Sequence, residues 1–523
     1  MRNLQRTIAF TFILLALIAC KKEKTNWNTN WTAPLVHGRL TLNDLIPPEY
    51  TTSNSQEYLS IIYNESVFSF SLDTLIELPD TTIIQKTAVN FSSITVNPAF
   101  TYGDDYDQKY ELGEIELKRV IVKSGEIEMT IKSPWPGKAT VAFDFPTILD
   151  QGSPFYKAFN LDAGTQSNPS TASEIINISG FDMDLTGISG NLINTISGDI
   201  IVSSNEDTDS YTVTNQDSIV YEVTFKELIP DYAKGYFGSY TITDTTGFDL
   251  PFMNSVLGGS IDIDSIDLNI IIKNGFNLIA QAKISQLKGY NSKNGSSANL
   301  SFPLLGSSIN INPSSGGLYD YVPSEYPIAI NNSNSTITSF IENLPDSIYL
   351  GYELKINPDG NVTAGSDELF PGSLMEIVLN GEFPLEFGAN DLLLTDTFNI
   401  SYNTGVSYTE NEAEITLSYQ NGFPIGASAS LYLLNEYDEL IDSLSGDGSI
   451  NAGMYDPTTF ATQPSSGTVI YLLSREYIEN IAAATKIAVI LSFSSDNNNK
   501  VKIKSDAYFD FNLRSNLDID IHL

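Results

Sequence analysis

Short clusters of carboxylates are the residues best suited to bind a ligand. Asp104, Asp105 and Asp107 lie within one four-residue stretch, and a second acidic cluster occupies residues 205–209. Ca²⁺ requires several hard oxygen ligands placed this closely, so the first cluster predicts calcium as the one candidate cofactor. Neither cluster has the glycine and terminal glutamate of an EF-hand loop. Acidic hairpin loops that keep the surface soluble are the alternative explanation.

Histidine-based catalysis has little support. The only two histidines, His37 and His522, are near the chain ends, whereas a catalytic triad needs a rigidly held imidazole. No G-x-S-x-G motif is present, and residues 285–288 match S-x-x-K without its companion motifs. With 64 acidic residues, a carboxylate pair for glycoside hydrolysis is the remaining enzymatic alternative. We therefore predict no catalytic residues.

The single cysteine, Cys20, ends an N-terminal segment typical of exported proteins. Arg2 and Arg6 form a short basic region, and the 12 residues 8–19 are apolar apart from Thr11. Such a run is too short to span about 30 Å of hydrocarbon, but it matches the apolar region of a signal peptide. A single cysteine also excludes an intrachain disulfide and a thiolate metal cluster.

The sequence Leu17-Ile18-Ala19-Cys20 resembles the lipobox of bacterial lipoproteins. The resemblance implies that signal peptidase II removes residues 1–19 and that acyl chains on Cys20 anchor the protein in the outer membrane. Two or more acyl chains make such anchoring stable. Residues 21–24 partly match the export signal of Bacteroidota surface lipoproteins, so periplasmic and surface-facing orientations both stay open. Residues 27–46 resemble the start of Bacteroidota lipoproteins of undefined function, which implies no activity.

Charge and composition limit the partners. Lys and Arg number 27 against 64 Asp and Glu, for a formal net charge of −37. A surface this negative repels phosphate backbones and excludes nucleic acid as a partner. Apolar residues make up 41% of the chain, which is enough to form buried cores. The expected partners are the membrane, through acylated Cys20, and envelope proteins or glycans.

Alternating apolar and polar residues predict an all-β fold. Charged and aliphatic side chains alternate, as in half-buried strands, in residues 114–118, 126–132, 261–264, 412–417 and 501–504. Dipeptides of a small polar residue followed by glycine predict turns at Ser124-Gly125, Asp359-Gly360, Asn380-Gly381 and Asp447-Gly448. One or two short helices are expected, around residues 337–341 and 474–482.

An internal repeat links three parts of the chain. Residues 266–280 align with residues 413–427, so that Asn274-Gly275-Phe276 matches Asn421-Gly422-Phe423, and a weaker copy occupies residues 127–135. Each copy predicts an alternating strand, a turn with a buried aromatic residue, and a second strand. The glycines would permit a positive φ. This hairpin resembles the β-sandwiches of water-stress proteins, and coincidence among hairpins with similar turns is the alternative.

The predicted architecture is a row of tandem β-sandwich-like modules. Residues 1–19 form the signal peptide, residues 20–34 the lipid-anchored tether, and residues 35–222, 223–400 and 401–523 the three modules. Such an elongated body favours a non-enzymatic binding or structural role in the cell envelope. The alternatives are a carrier of lipid or another hydrophobic ligand in a tubular fold of curved sheets and, third, a glycoside hydrolase.

Seven Asp-Ser or Asp-Thr sites match the O-glycosylation pattern that the Bacteroidota resemblance implies. The candidate acceptors are Thr74, Thr81, Ser218, Thr245, Ser265, Ser347 and Ser443. A chain rich in Asp, Ser and Thr also contains such pairs by chance, because they are ordinary turn residues. Exposure of each hydroxyl group is the first requirement for modification.

Overall fold

The computed structural model consists mainly of antiparallel β-strands. It describes residues 26–42, 46–55, 57–71, 80–87, 92–207, 209–253, 256–400, 408–460, 462–473, 483–495 and 499–522. The helices bounded within these ranges are short: Pro48–Tyr50, Pro251–Met253 and α1 (Ile337–Glu342). The all-β prediction and the helix near residue 337 are confirmed. The helix expected at 474–482 lies outside the described residues.

The strands fall into an N-terminal segment and three modules, which we number in chain order. The N-terminal segment contains β1 (Asn26–Thr41), β2 (Thr51–Ser53), β3 (Leu59–Ser71), β4 (Thr81–Thr87) and β5 (Ser93–Val96). Module 1 contains β6 (Thr101–Lys109), β7 (Glu116–Ser133), β8 (Ala139–Asp150), β9 (Ser153–Leu161), β10 (Ser170–Asn177), β11 (Asp182–Asp184), β12 (Thr195–Ser204), β13 (Tyr211–Thr214) and β14 (Ile219–Tyr236).

The other two modules follow along the chain. Module 2 contains β15 (Tyr240–Asp249), β16 (Val256–Ile263), β17 (Asp267–Asn274), β18 (Ala280–Tyr290), β19 (Ser297–Asn299), β20 (Ser308–Ile311), β21 (Ser324–Asn331), β22 (Ser347–Ile356), β23 (Asp367–Leu369) and β24 (Leu374–Pro384). Module 3 contains β25 (Glu386–Asn399), β26 (Tyr408–Asn421), β27 (Gly426–Leu434), β28 (Leu440–Ser445), β29 (Met454–Tyr455), β30 (Thr462–Gln463), β31 (Ser465–Leu473), β32 (Lys486–Ser494), β33 (Val501–Lys502) and β34 (Tyr508–His522).

Each module repeats one pairing plan. One sheet has the strand order β4-β14-β7-β10 in module 1, β3-β24-β17-β21 in module 2 and β1-β34-β26-β31 in module 3. The second set of strands has the orders β6-β12-β8-β9, β15-β22-β18-β20 and β25-β32-β27-β28, and β16 extends the last by pairing with β25. In module 1 the short strand β11 pairs with both β7 and β8 and joins the two sets into one sheet. Alternate side chains of these strands form one hydrophobic core that continues through all three modules.

The N-terminal segment runs past the modules in reverse order. Asn26 pairs with His522 in module 3, β3 completes a sheet of module 2, and Thr87 pairs with Ile219 in module 1. The expected ranges therefore differ from the sheets, because module 2 needs β3 and module 3 needs β1, which begins within the expected tether of residues 20–34. In addition, β14 of module 1 extends past residue 222, and β25 of module 3 begins before residue 401. An edge strand can come from any part of the chain that reaches the open sheet edge.

The predicted repeat is confirmed at the hydrogen bonds of its turn. Asn274 accepts the amide of Phe276 at 2.9 Å and donates to the carbonyls of Leu278 and Asn312. Asn421 makes the same three bonds, to Phe423, Ile425 and Asn451. Both asparagines are fully buried, and so are Phe276 and Phe423. The shared turn is therefore a structural repeat.

Module 1 contains a reduced copy of the turn. Ser133 replaces the asparagine and accepts the amide of Trp135 at 3.3 Å. The carbonyl of Trp135 accepts the amide of Gly164, as the carbonyls of the equivalent phenylalanines accept backbone amides in modules 2 and 3. A serine hydroxyl supplies the acceptor but lacks the second donor of an amide, which explains why this copy is weak in sequence.

The glycines of the repeat allow a neighbouring strand to approach the turn closely. They do not have a positive φ, so that expectation is wrong. A Cβ on Gly275 would lie 2.7 Å from the carbonyl oxygen of Leu374, and one on Gly422 would lie 3.2 Å from that of Tyr508. Each glycine amide donates to that same carbonyl at 2.8 Å. A side chain here would push the turn away from the neighbouring strand.

Two of the predicted glycine turns are wrong. Ser124-Gly125 lies inside β7, where the register against β14 shifts, and a Cβ on Gly125 would meet Leu228 at 2.7 Å. Asn380-Gly381 lies inside β24. Glycine here marks an irregular or crowded strand position, which the same dipeptide does not distinguish from a turn. Gly360, by contrast, has the positive φ of a turn residue.

Candidate functional site

The residues considered for catalysis are not brought together. His37 is exposed on β1, with its ring nitrogen 4.0 Å from a carboxylate oxygen of Asp510. Ser285 and Lys288 lie within strand β18, not at the start of a helix. The side chain of His522 lies outside the described residues. The described geometry therefore contains no pairing of these groups with a nucleophile.

The acidic cluster proposed for calcium lies on an edge strand of module 1. Asp104, Asp105 and Asp107 all belong to β6, and Asp107 accepts a hydrogen bond from Ser197 on the neighbouring β12. The side chain of Asp104 is outside the description. Among the described side chains, no group of three or more His, Cys, Asp or Glu residues is placed to hold a metal ion. Calcium binding stays a prediction.

A row of three carboxylates crosses the same sheet. Asp199 on β12 is directly opposite Asp105 on one side and Asp144 on the other. Partial burial raises the pKa of Asp199, and the neighbouring charges of Asp105 and Asp144 raise it further. Like charges directly opposite each other destabilise a sheet. This row is consequently a local weak point of module 1.

The seven candidate glycosylation sites differ in exposure. Thr245, Ser265 and Ser443 are exposed, whereas Thr81, Ser218 and Ser347 are half-buried. The hydroxyl of Ser347 donates to the carboxylates of Asp249 and Asp346, which restricts its access further. Thr74 lies outside the described residues. The three exposed hydroxyls are the best candidates for modification.

Polar groups join modules 1 and 2. The carboxylate of Glu368 accepts hydrogen bonds from Tyr232 at 2.7 Å, from Lys234 at 3.3 Å and from Asn277 at 3.0 Å. Tyr232 and Lys234 belong to module 1, and the other two residues belong to module 2. Charge-assisted hydrogen bonds are stronger than neutral ones and fix geometry, so this network holds the two modules in one arrangement.

Two adjacent carboxyl groups at this junction have pKa values shifted in opposite directions. Burial raises the pKa of Asp367 and outweighs its bonds from Thr363 and Asn357. Burial also acts on Glu368, but the hydrogen bonds from Tyr232, Asn277 and Lys234 together hold its pKa below the ordinary value. The charged form is therefore disfavoured at Asp367 and favoured at Glu368.

The junction of modules 2 and 3 is apolar and contains a cavity of about 150 Å³. Its wall combines the N-terminal segment, the segment from Leu250 to Ile263, the end of module 2 with α1, and the first strand of module 3. The lining side chains that the structure describes are aliphatic, aromatic, methionine or proline. Leu268, Leu287 and Phe340 form its buried base. This cavity is the best-formed candidate binding site.

Sequence reasoning missed the cavity residues, although two stretches carry a signal. Phe383-Pro384-Leu385 and Leu392-Leu393-Leu394 interrupt the alternation expected of a strand with one wet face. Consecutive apolar residues indicate that both faces of a strand are covered. The other lining residues come from chain segments far apart in sequence, and no local pattern connects them.

No described helix is long and apolar enough to cross a membrane, and Cys20 precedes the described residues. No protein-family profile and no curated protein matches the chain. One similar solved structure is the crystal structure of a protein from Parabacteroides distasonis, described as a presumed secreted protein. It is 11% identical, and the match covers 94% of this chain and 99% of that chain with a TM-score of 0.29. At this TM-score the likeness carries no conclusion about fold or function.

Proposed function

We propose that this protein is a lipid-anchored envelope protein whose modules act as a non-enzymatic spacer and binding scaffold. The observation that carries the proposal is the position of β1, the first described strand. Asn26 pairs with His522 at the end of module 3 that faces away from module 2. Acylated Cys20 would be six residues from that end, a distance of at most about 20 Å along the chain.

The proposal gives the molecule a defined orientation. Module 3, the last in sequence, would stand next to the membrane, and the turn end of module 1 would be farthest from it. The three strands β1, β3 and β4 contain 16, 13 and 7 residues. Placed end to end they span about 120 Å at ~3.3 Å per residue. The polar network between modules 1 and 2 supports a spacer that keeps its shape.

The anchor itself is tested by Cys20→Ser. We expect this variant to keep its signal peptide and to lose labelling by a fatty-acid probe in its own host. Labelling that persists in the variant would exclude the lipobox. Affinity capture of the intact lipoprotein, compared with the same variant, then identifies which envelope proteins or glycans need the anchored form.

The orientation is tested with single cysteines, because lipidation consumes the only native thiol. Ser167→Cys places a fluorophore at the outer turn end of module 1, and Glu436→Cys places one in the loop at the far end of module 3. Both positions are exposed. On vesicles with a lipid acceptor dye, energy transfer should be strong from position 436 and weak from position 167. Equal or reversed efficiencies would contradict the spacer arrangement.

A further inference from the structure

The cavity between modules 2 and 3 has the chemistry of a site for an apolar ligand. Its base is fully buried, but several lining side chains are half-exposed: Val256, Ile261, Phe383, Phe387 and Leu394. These residues lie on or beside β16 and β25, so the cavity has an apolar rim on that side. An apolar rim that continues into a buried apolar space lets a hydrophobic molecule enter without crossing a polar barrier.

The size of the cavity sets the size of the ligand. Protein interiors are normally packed with few voids larger than a water molecule. A dry, apolar cavity of about 150 Å³ is large enough for a benzene-sized ring, and this cavity has about that volume. An alkyl chain could place a short segment inside and the rest along the rim. An empty cavity of this size destabilises a protein, and a bound ligand restores the lost contacts.

The polar groups near the cavity disfavour an anionic ligand. Tyr63 is the one described lining residue whose side chain has a hydroxyl group, and its ring stacks near Tyr50 and Phe248. Burial raises the pKa of Tyr63 to about 12, with further contributions from Glu65, Tyr50 and Asp249. The hydroxyl is a neutral donor, and the carboxylates of Glu65 and Asp249 together with the net charge of −37 repel negative head groups. The one ammonium group that donates to a described lining residue, that of Lys500 on the carbonyl of Ile263, is already paired with Asp262 and Asp264.

We propose that the cavity between modules 2 and 3 binds one neutral, single-chain or single-ring apolar molecule, whose polar end is a hydroxyl or carbonyl group and not a carboxylate. The site uses module 2, module 3 and the N-terminal segment together, so it exists only when the full chain is assembled. It does not depend on the lipid anchor. It gives the carrier role, which the sequence left as the alternative to a binding or structural role, a defined site within sandwich modules instead of a tube.

The test uses the full mature chain with Cys20→Ser, because this form carries no acyl chains of its own that could compete. The neutral dye N-phenyl-1-naphthylamine is the probe, and its fluorescence rises in an apolar site. We expect saturable binding of one dye per chain. Decanol should displace the dye at concentrations at least ten-fold lower than decanoate. Equal displacement by decanoate would overturn the preference for neutral ligands.

Two variants fill the cavity from opposite walls. Leu268→Phe adds volume from module 2, and Leu394→Phe adds it from the half-exposed rim of module 3, where a larger ring is easier to accommodate. Each should weaken dye binding at least ten-fold and abolish the rise in melting temperature that decanol gives the parent chain. Leu304→Phe, which is half-buried in module 2 outside the cavity, is the matched control and should bind normally. Unchanged binding in either folded cavity variant would exclude this site.

Discussion

Asn421→Ala is the sharpest test of the turn that builds each module. The side chain is fully buried and makes three hydrogen bonds, each at 2.9 Å. A net contribution of about 1 kcal/mol per bond gives an expected loss of about 3 kcal/mol in the free energy of unfolding. The alanine takes a hydrogen bond from the amide of Phe423 and from the carbonyls of Ile425 and Asn451, of which the Asn451 carbonyl keeps the bond from the hydroxyl of Ser465. The loss should therefore be large for a polar substitution.

Module 1 supplies the design of an intermediate variant. Asn421→Ser keeps an acceptor for the amide of Phe423, as Ser133 does for Trp135, but it replaces the two N–H donors of the amide by a single O–H on a shorter side chain. We expect a loss of about 2 kcal/mol, between the alanine variant and the parent. Asn435→Ala is the control in the same module, because Asn435 also closes a turn but does so at an exposed site. Its cost should be below about 1 kcal/mol.

Urea unfolding followed by hydrogen exchange and mass spectrometry measures the stability of each module separately. Asn421→Ala should lower the protection of module 3 first, and Asn274→Ala should have the same effect on module 2. The reasoning fails if the alanine variant is within about 0.5 kcal/mol of the parent, a difference typical of ordinary surface substitutions. It also fails if the serine variant is as destabilised as the alanine variant, since a hydrogen-bond acceptor for the amide of Phe423 would then contribute nothing to stability.

Three further substitutions test the core and the junction between modules 1 and 2, and one mass measurement tests the surface. Phe276→Ala should cost roughly 3–5 kcal/mol through a buried cavity, measured by urea unfolding. Asp367→Asn should raise stability by about 1 kcal/mol at pH 7, because the folded state disfavours the charged form there, and the gain should vanish below about pH 4, where the carboxyl is protonated in both states. Glu368→Gln should instead cost about 1–2 kcal/mol at pH 7, and this cost should fall as acid protonates Glu368 in the parent. The intact mass of protein from its own host should exceed the lipidated polypeptide by whole glycans; a mass of the lipidated polypeptide alone would leave the Asp-Ser and Asp-Thr pairs as plain turns.

The repeat could be predicted from the sequence because its turn depends on interactions between residues that are close together in the chain. The Asn-Gly-Phe turn depends on an amide side chain that bonds to a residue two positions later, and on a glycine that leaves room for the next strand. These requirements sit in three consecutive residues, so they appear in any alignment of the copies. The short helix at Ile337–Glu342 was similarly readable, because its buried residues follow helical spacing.

Glycine outside the repeat was less informative, for a physical reason. Gly125 and Gly381 lie within strands, where a Cβ would meet Leu228 and Phe383, respectively. A glycine that is required because a Cβ would collide with a neighbouring side chain cannot be distinguished in a sequence from a glycine that is required for a positive φ. Only the folded surroundings distinguish them: Leu228 comes from strand β14, whereas Phe383 lies two residues further along the same strand as Gly381.

The sequence by itself determined the all-β class, the repeated hairpin and its buried aromatic residues, because alternation and turn bonds act over a few residues. The tertiary structure alone decided the partners of the N-terminal strands and the location of the cavity. β1 and β34 are separated by more than 460 residues along the chain and still pair throughout their length. Backbone hydrogen bonds between strands carry almost no sequence preference, so the same half-buried pattern fits many open sheet edges. Which edge is available depends on how the three modules stack, and the apolar space left between modules 2 and 3 follows from that stacking.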